Sequence, residues 1–119
     1  MRLVSEDMSA YGSSVALLAV HSSISLNDAI AVGVTGRRAK GEDHKRAATD
    51  LEKLCRASKV ADRKGVHHLI WLLARKTDIA YGEGRLDPTF LLAAMDRAER
   101  FQAWAYNNFK GVLRAGDEI

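Results

Sequence analysis

The sequence predicts an all-α protein, a four-helix up-down bundle, on three observations. Apolar residues recur at helical spacing through most of the chain, no run of strand length alternates apolar with polar residues, and helix start and stop residues punctuate the pattern. No internal repeat or low-complexity tract interrupts it. At 119 residues the chain makes one domain, large enough to bury roughly two-thirds of the surface its unfolded form exposes.

Residues 1–8 read as a frayed end or helical lead-in, with Ser5, Asp7 and Ser9 each able to cap a helix by accepting from free backbone N–H groups. The first helix then runs from about Met8 to Thr35. Leu17, Val20, Ile24, Ala31 and Val34 recur on one side, and Val15, Leu18, Leu26, Ala29 and Ile30 cover much of the other. A helix apolar nearly all round is normally a central one. Its exception is a polar line, His21, Ser25 and Asp28, spaced to stack on one face. Gly36 ends the helix because glycine takes the left-handed turn that closes a C-terminus.

A basic loop follows, and Asp43 then caps a short second helix ending near Ser58, with Ala47, Ala48, Leu51, Leu54 and Cys55 inward. Asp62 caps a third helix that continues to about Tyr81, with Val66, Leu69, Ile70, Leu73 and Ala80 inward and Trp71 also on it. The glycine-rich segment at 82–88 is a turn, and Asp87 with Pro88 is a strong start signal: the acid caps, and proline loses nothing at the first helical position. The last helix runs from Pro88 to about Leu113, with Leu91, Ala94, Ala98, Phe101, Ala105 and Val112 along a seam and Asp96 paired with Arg100 outside. Residues 114–119 read as a second frayed end. Short connections make sequential helices antiparallel neighbours.

Charge and cysteine usage bound the function classes. The net charge of +3 and pI near 9.2 are too mild to mark a nucleic-acid binder on their own, so the distribution matters more. Arg37, Arg38, Lys40, Lys45 and Arg46 form the concentrated basic run, offset by Glu42 and Asp43. A lone cysteine, Cys55, cannot form an internal disulfide and points to a reducing, cytoplasmic setting. His21, Asn27 and Asp28 interrupt the best apolar window, so no membrane span is expected. Acidic residues stand where a secretory signal needs its apolar core.

Three constellations bear on chemistry. The line His21, Ser25 and Asp28 reads either as a hydrogen-bonded relay or, more simply, as a solvated or structurally satisfied face. The basic loop with His44 offers arginines to hold a phosphate beside an imidazole to move a proton, with five residues between Arg38 and His44. Its bland reading is that cations after a helix C-terminus complement the helix dipole. The end of the third helix gathers Arg75, Lys76, Asp78, Tyr81 and Arg85. Adjacent His67 and His68 point too far apart to share a metal, and no metal or cofactor is expected. Phe101, Trp104, Tyr106 and Phe109 are spaced partly as core and partly as an outward set that would form a dimer seam.

The order ALLAVHSSISLNDAIAVGVTGRRAKGEDHKRAATDLEKL, then HHLIWLLARKTDIAYGEGRLD, then AERFQAWA resembles the HEPN domains, small all-helical bundles, over about residues 10–110. Many of these are ribonucleases, often toxins of toxin–antitoxin pairs beside a nucleotidyltransferase, with an arginine and histidine in a site shared across a dimer. The resemblance places Arg75 on the family arginine and Ala80, just before Tyr81, on the family histidine. It therefore implies a non-nuclease, HEPN-like homodimer that binds RNA or nucleotide phosphate, a nucleotidyltransferase or other partner protein, or both. The residues expected at the phosphate are Arg37, Arg38, Lys40, His44, Lys76, Tyr81 and Arg85. The alternatives are a protein-interaction bundle without nucleic-acid contact and a metal-independent ribonuclease using Arg38 and His44.

Overall fold

A computed structural model describes residues 2–36, 44–81 and 87–117, with side chains described for 14–36, 46–76, 79 and 87–113. Among these residues there is no strand. Five helices follow in order: α1 (Arg2–Thr35), α2 (His44–Ala57), α3 (Lys64–Tyr81), α4 (Pro88–Asn108) and α5 (Lys110–Asp117).

The 34 residues of α1, at about 1.5 Å of rise each, match the 50 Å long dimension of the molecule. No breaker precedes Met8, so the helix starts at Arg2 and the proposed caps Ser5, Asp7 and Ser9 lie inside it. Its end is as expected: Gly36 takes φ 72°, and its N–H donates to the Val32 carbonyl at 2.7 Å. The helix is not buried all round, although Leu17, Ile24, Leu26, Ala31 and Val34 pack partly buried against the core. The buried seam is Ala16, Val20, Ser23, Asn27 and Ile30, while Leu18 is 66% exposed and Val15 lies at the surface. Periodicity could not choose among the faces of a helix that is apolar on nearly all of them. The buried Ser23 hydroxyl is satisfied by donating to the Ala19 carbonyl at 3.0 Å.

Helix α2 buries Ala48, Leu51, Leu54 and Cys55, as its pattern required, with Ala47 only half-buried at the edge of that face; Asp43 lies outside the described residues. It closes in a Schellman turn. Lys59 takes φ 58°, its N–H donates to Arg56, and the Val60 N–H reaches back to Cys55 at 2.8 Å. Asp62 accepts from the Lys64 N–H at 2.9 Å and so primes the start of α3. Helix α3 buries Val66, Leu69, Leu72 and Ile79, whereas Ile70, expected inward, is 49% exposed. The correction is one of phase: the seam passes through Leu69 and Leu72, and Ile70 falls a third of a turn away. Ala80 lies outside the residues with described side chains.

Asp87 accepts from the Thr89 N–H at 2.9 Å with Pro88 behind it, so α4 starts where the sequence said. Its end does not. The expected helix to Leu113 breaks at Phe109, which leaves helical geometry at φ −126°, ψ 36°, so the bundle has five helices rather than four. Asn108 turns its side-chain amide onto the Trp104 carbonyl at 2.8 Å. The bend tucks Phe109 and Leu113 under the core, a gain in burial that periodicity alone does not register.

Helices α3 and α4 are antiparallel, with Gly65 under Trp104, His68 beside Arg97 and Trp71 against Phe90. Helices α4 and α5 both border α1. Gln102 and Tyr106 border the 18–26 stretch of α1, and Val112, farther along, sits on Gly33. Short connections constrain only neighbours in sequence. Where α5 crosses α1, Val112 sits directly over the small residue Gly33, and α4 buries the small residues Ala94, Ala98 and Ala105.

Candidate functional site

Of the residues assigned from sequence, Arg37, Arg38, Lys40 and Arg85 lie outside the described residues. His44 and Tyr81 are the first residue of α2 and the last of α3, and their side chains are likewise outside. Lys76 is half-buried on α3. Of these side chains only Lys76 is among those described. It does settle the surroundings of the polar line: His21 and Ser25 are exposed and Asp28 is half-buried.

That line borders α4. An open groove of about 470 Å³ is lined by Leu18, His21, Ser22, Ser25 and Leu26 from α1 and by Gln102 and Tyr106 from α4. Leu18 and Tyr106, the latter 46% exposed, supply apolar surface beside the polar floor. Trp104, read as part of an outward aromatic seam, is only 6% exposed. It packs on Phe101 and Phe109 with ring centroids 5.9 and 5.8 Å apart, and its indole N–H donates to the Asp62 carbonyl at 3.0 Å. Of the four aromatics on this stretch, Tyr106 alone is left for an interface.

The outer face of α3 and α4 carries a second constellation. The Arg75 guanidinium lies 5.0 Å from the centroid of the Trp71 ring and that of Arg97 lies 5.5 Å from it. Phe90 packs tilted against the same indole at 5.9 Å. Arg97 Nη1 stands 3.3 Å from His68 Nδ1, a contact in which the guanidinium donates and the imidazole accepts, which requires neutral His68. Burial, and then the charges of Arg97 and Arg100, hold the His68 pKa below the ordinary histidine value. In sequence, Trp71 and Arg75 are legible as a helical pair, but nothing there announces that Arg97 and His68 will meet.

The His68 shift has a consequence for stability. A group whose pKa is lower folded than unfolded contributes stability that is present above its unfolded pKa and is lost as pH falls through its folded pKa. The melting temperature is expected to fall on acidification from pH 7 toward pH 5 more steeply in wild type than in His68→Gln. Thermal melts by circular dichroism across that range measure the difference, and parallel curves would rule out the imidazole as a contributor. Cys55 is no competing reactive centre: burial pushes its thiol up despite nearby Arg63.

Comparison with family models, curated proteins and solved structures finds no match for this chain. What fold and surface define is a class: an all-helical bundle with an amphipathic groove between α1 and α4 and a cationic, aromatic face on α3 and α4.

Proposed function

We propose that the chain is a non-catalytic, HEPN-like helical module that works by binding, and that the α1–α4 groove seats a partner protein, the first candidate being a second copy of the chain. The observation that carries this is the gathering of Leu18, Leu26 and Tyr106 around one groove, with His21, Ser22, Ser25 and Gln102 offering polar contacts between them. Scattered exposed leucines are ordinary, but grouped ones beside a concavity fit a docking surface. Fully burying a leucine contributes about 1.5–3 kcal/mol, and Leu18 has most of that still to gain.

Light scattering coupled to size exclusion tests the reading. Wild type is expected to dimerise, and Leu18→Asp to shift it to monomer while leaving the far-ultraviolet spectrum intact. A wild type monomeric at millimolar concentration would remove the self-partner. Leu18→Asp with undiminished dimer would remove the groove.

Contact with RNA or nucleotide phosphate is the second reading. It rests on the basic run of Arg37, Arg38 and Lys40 with His44, on Lys76, Tyr81 and Arg85, and on the family resemblance. The observation favouring it is Arg75 with Arg97 on the α3–α4 face, both over Trp71. The resemblance also supplies the proposed toxin–antitoxin setting and nucleotidyltransferase partner. A cytoplasmic location is proposed on the unpaired, buried Cys55. The 14–35 stretch of α1 is long and apolar enough to cross a membrane by composition, at mean hydropathy 1.5, a test that a core helix also passes. The ribonuclease alternative needs Arg38 and His44, whose side chains lie outside those described.

A further inference from the structure

We propose that the outer face of α3 and α4 is a phosphate-binding site, centred on Trp71, in which Arg75 and Arg97 supply the recognising guanidinium groups. The inference deepens the phosphate reading by naming a site for it. It shares that reading's ligand class but none of the basic-loop residues.

Three other arginines of this protein are held by carboxylates. Arg63 is held by Glu52 at 2.9 Å and Arg100 by Asp96 at 2.8 Å, and Arg56 shares Glu52 at 4.0 Å. Among the described residues no carboxylate pairs with Arg75 or Arg97. Both rest instead on the same indole. A cation–π contact stabilises each guanidinium on the ring face, but it does nothing for the repulsion between two positive groups on one ring. It also consumes none of the in-plane N–H donors, which remain at the edges of each guanidinium.

The indole therefore acts as a mount. It limits the freedom of two otherwise flexible side chains, so less entropy is lost when they engage a ligand. His68 takes one Arg97 donor and, being neutral, adds no third charge. An anion with several oxygens and up to two negative charges suits this arrangement, since one phosphate group can accept from two guanidiniums. A single carboxylate, with one charge and two oxygens in one plane, answers only one fork well. A nucleotide's terminal phosphate presents three free oxygens and up to two charges, whereas a diester of an RNA backbone presents two free oxygens and one charge, directed tetrahedrally rather than in one plane.

The test is a titration of the full chain followed through the arginine Nε–Hε resonances. The probes are inorganic phosphate, adenosine 5′-monophosphate and a short RNA with hydroxyls at both ends. The Arg75 and Arg97 signals are expected to shift with inorganic phosphate. A stronger response to the monophosphate identifies a terminal phosphate as the source, and a stronger response to RNA identifies the backbone. Arg75→Gln with Arg97→Gln should weaken binding at least tenfold. Arg75→Lys, which keeps the charge and loses the fork, should weaken it too, whereas the surface change Lys53→Gln should not. Loss of binding only in Arg37→Ala with Arg38→Ala would overturn this site and leave the general phosphate reading standing. No response to any probe at low salt would overturn both, and equal weakening by Lys53→Gln would reduce the site to non-specific charge.

Discussion

Trp104→Ala is expected to cost about 3–5 kcal/mol, the range for removing a buried tryptophan. For a single domain with about 5–15 kcal/mol in hand, that is a large share, and the variant should show a much lower urea midpoint. The side chain is 6% exposed and ties together three parts of the fold. It contacts Phe101 within α4 and Phe109 at the bend into α5, and its N–H closes on the Asp62 carbonyl ahead of α3. Trp104→Phe separates the packing from the hydrogen bond. It keeps most of the ring contact and leaves the Asp62 carbonyl without its donor, at about 0.5–1.5 kcal/mol for the bond. If Trp104→Ala unfolds within about 1 kcal/mol of wild type, the residue is not the core anchor described here and its reading as an interface aromatic returns.

Gly65→Ala is the companion, with an expected sign that depends on Trp104. An added Cβ at Gly65 would run into the indole carbons of Trp104, and overpacking of this kind costs about 1–3 kcal/mol. The clash is with a ring packed on Phe101 and Phe109 and tied to the Asp62 carbonyl, so swinging aside would give up those contacts. In the Trp104→Ala background the obstacle is gone. There the same substitution should become neutral or stabilising by up to about 1 kcal/mol, the helix preference of alanine over glycine. Urea unfolding of the two single variants and the double variant gives the coupling. Additive effects would place the two residues out of contact.

Much of the local structure was legible in the residues. The α4 start at Asp87 and Pro88, the stop at Gly36 with its positive φ, and the buried face of α2 all follow from chemistry within a turn or two of the chain. Errors fell where local chemistry was indifferent. Ile70 and Leu72 are equally good apolar residues, and only the position of the neighbouring helices makes one core and the other surface. Tyr106 and Trp104 are both aromatics on one helix, but a glycine distant in sequence makes room for one of them.

The candidate sites divide along the same line. The groove was half legible, because His21 and Ser25 stand out as polar in an apolar helix, while Gln102 and Tyr106 come from across the bundle. The α3–α4 face was visible only as Trp71 and Arg75.

By itself the sequence determined an all-helical protein, most of its helix boundaries, and the polar line on α1, because capping, turn formation and periodicity depend on residues close together in the chain. Only the tertiary structure decided that α4 and α5 run alongside α1, that the last helix bends at Phe109, and that Arg97 and His68 join Trp71. Those outcomes depend on which small residues let helices approach and which side chains then meet across 29 positions of sequence, a matter of packing that no local pattern encodes.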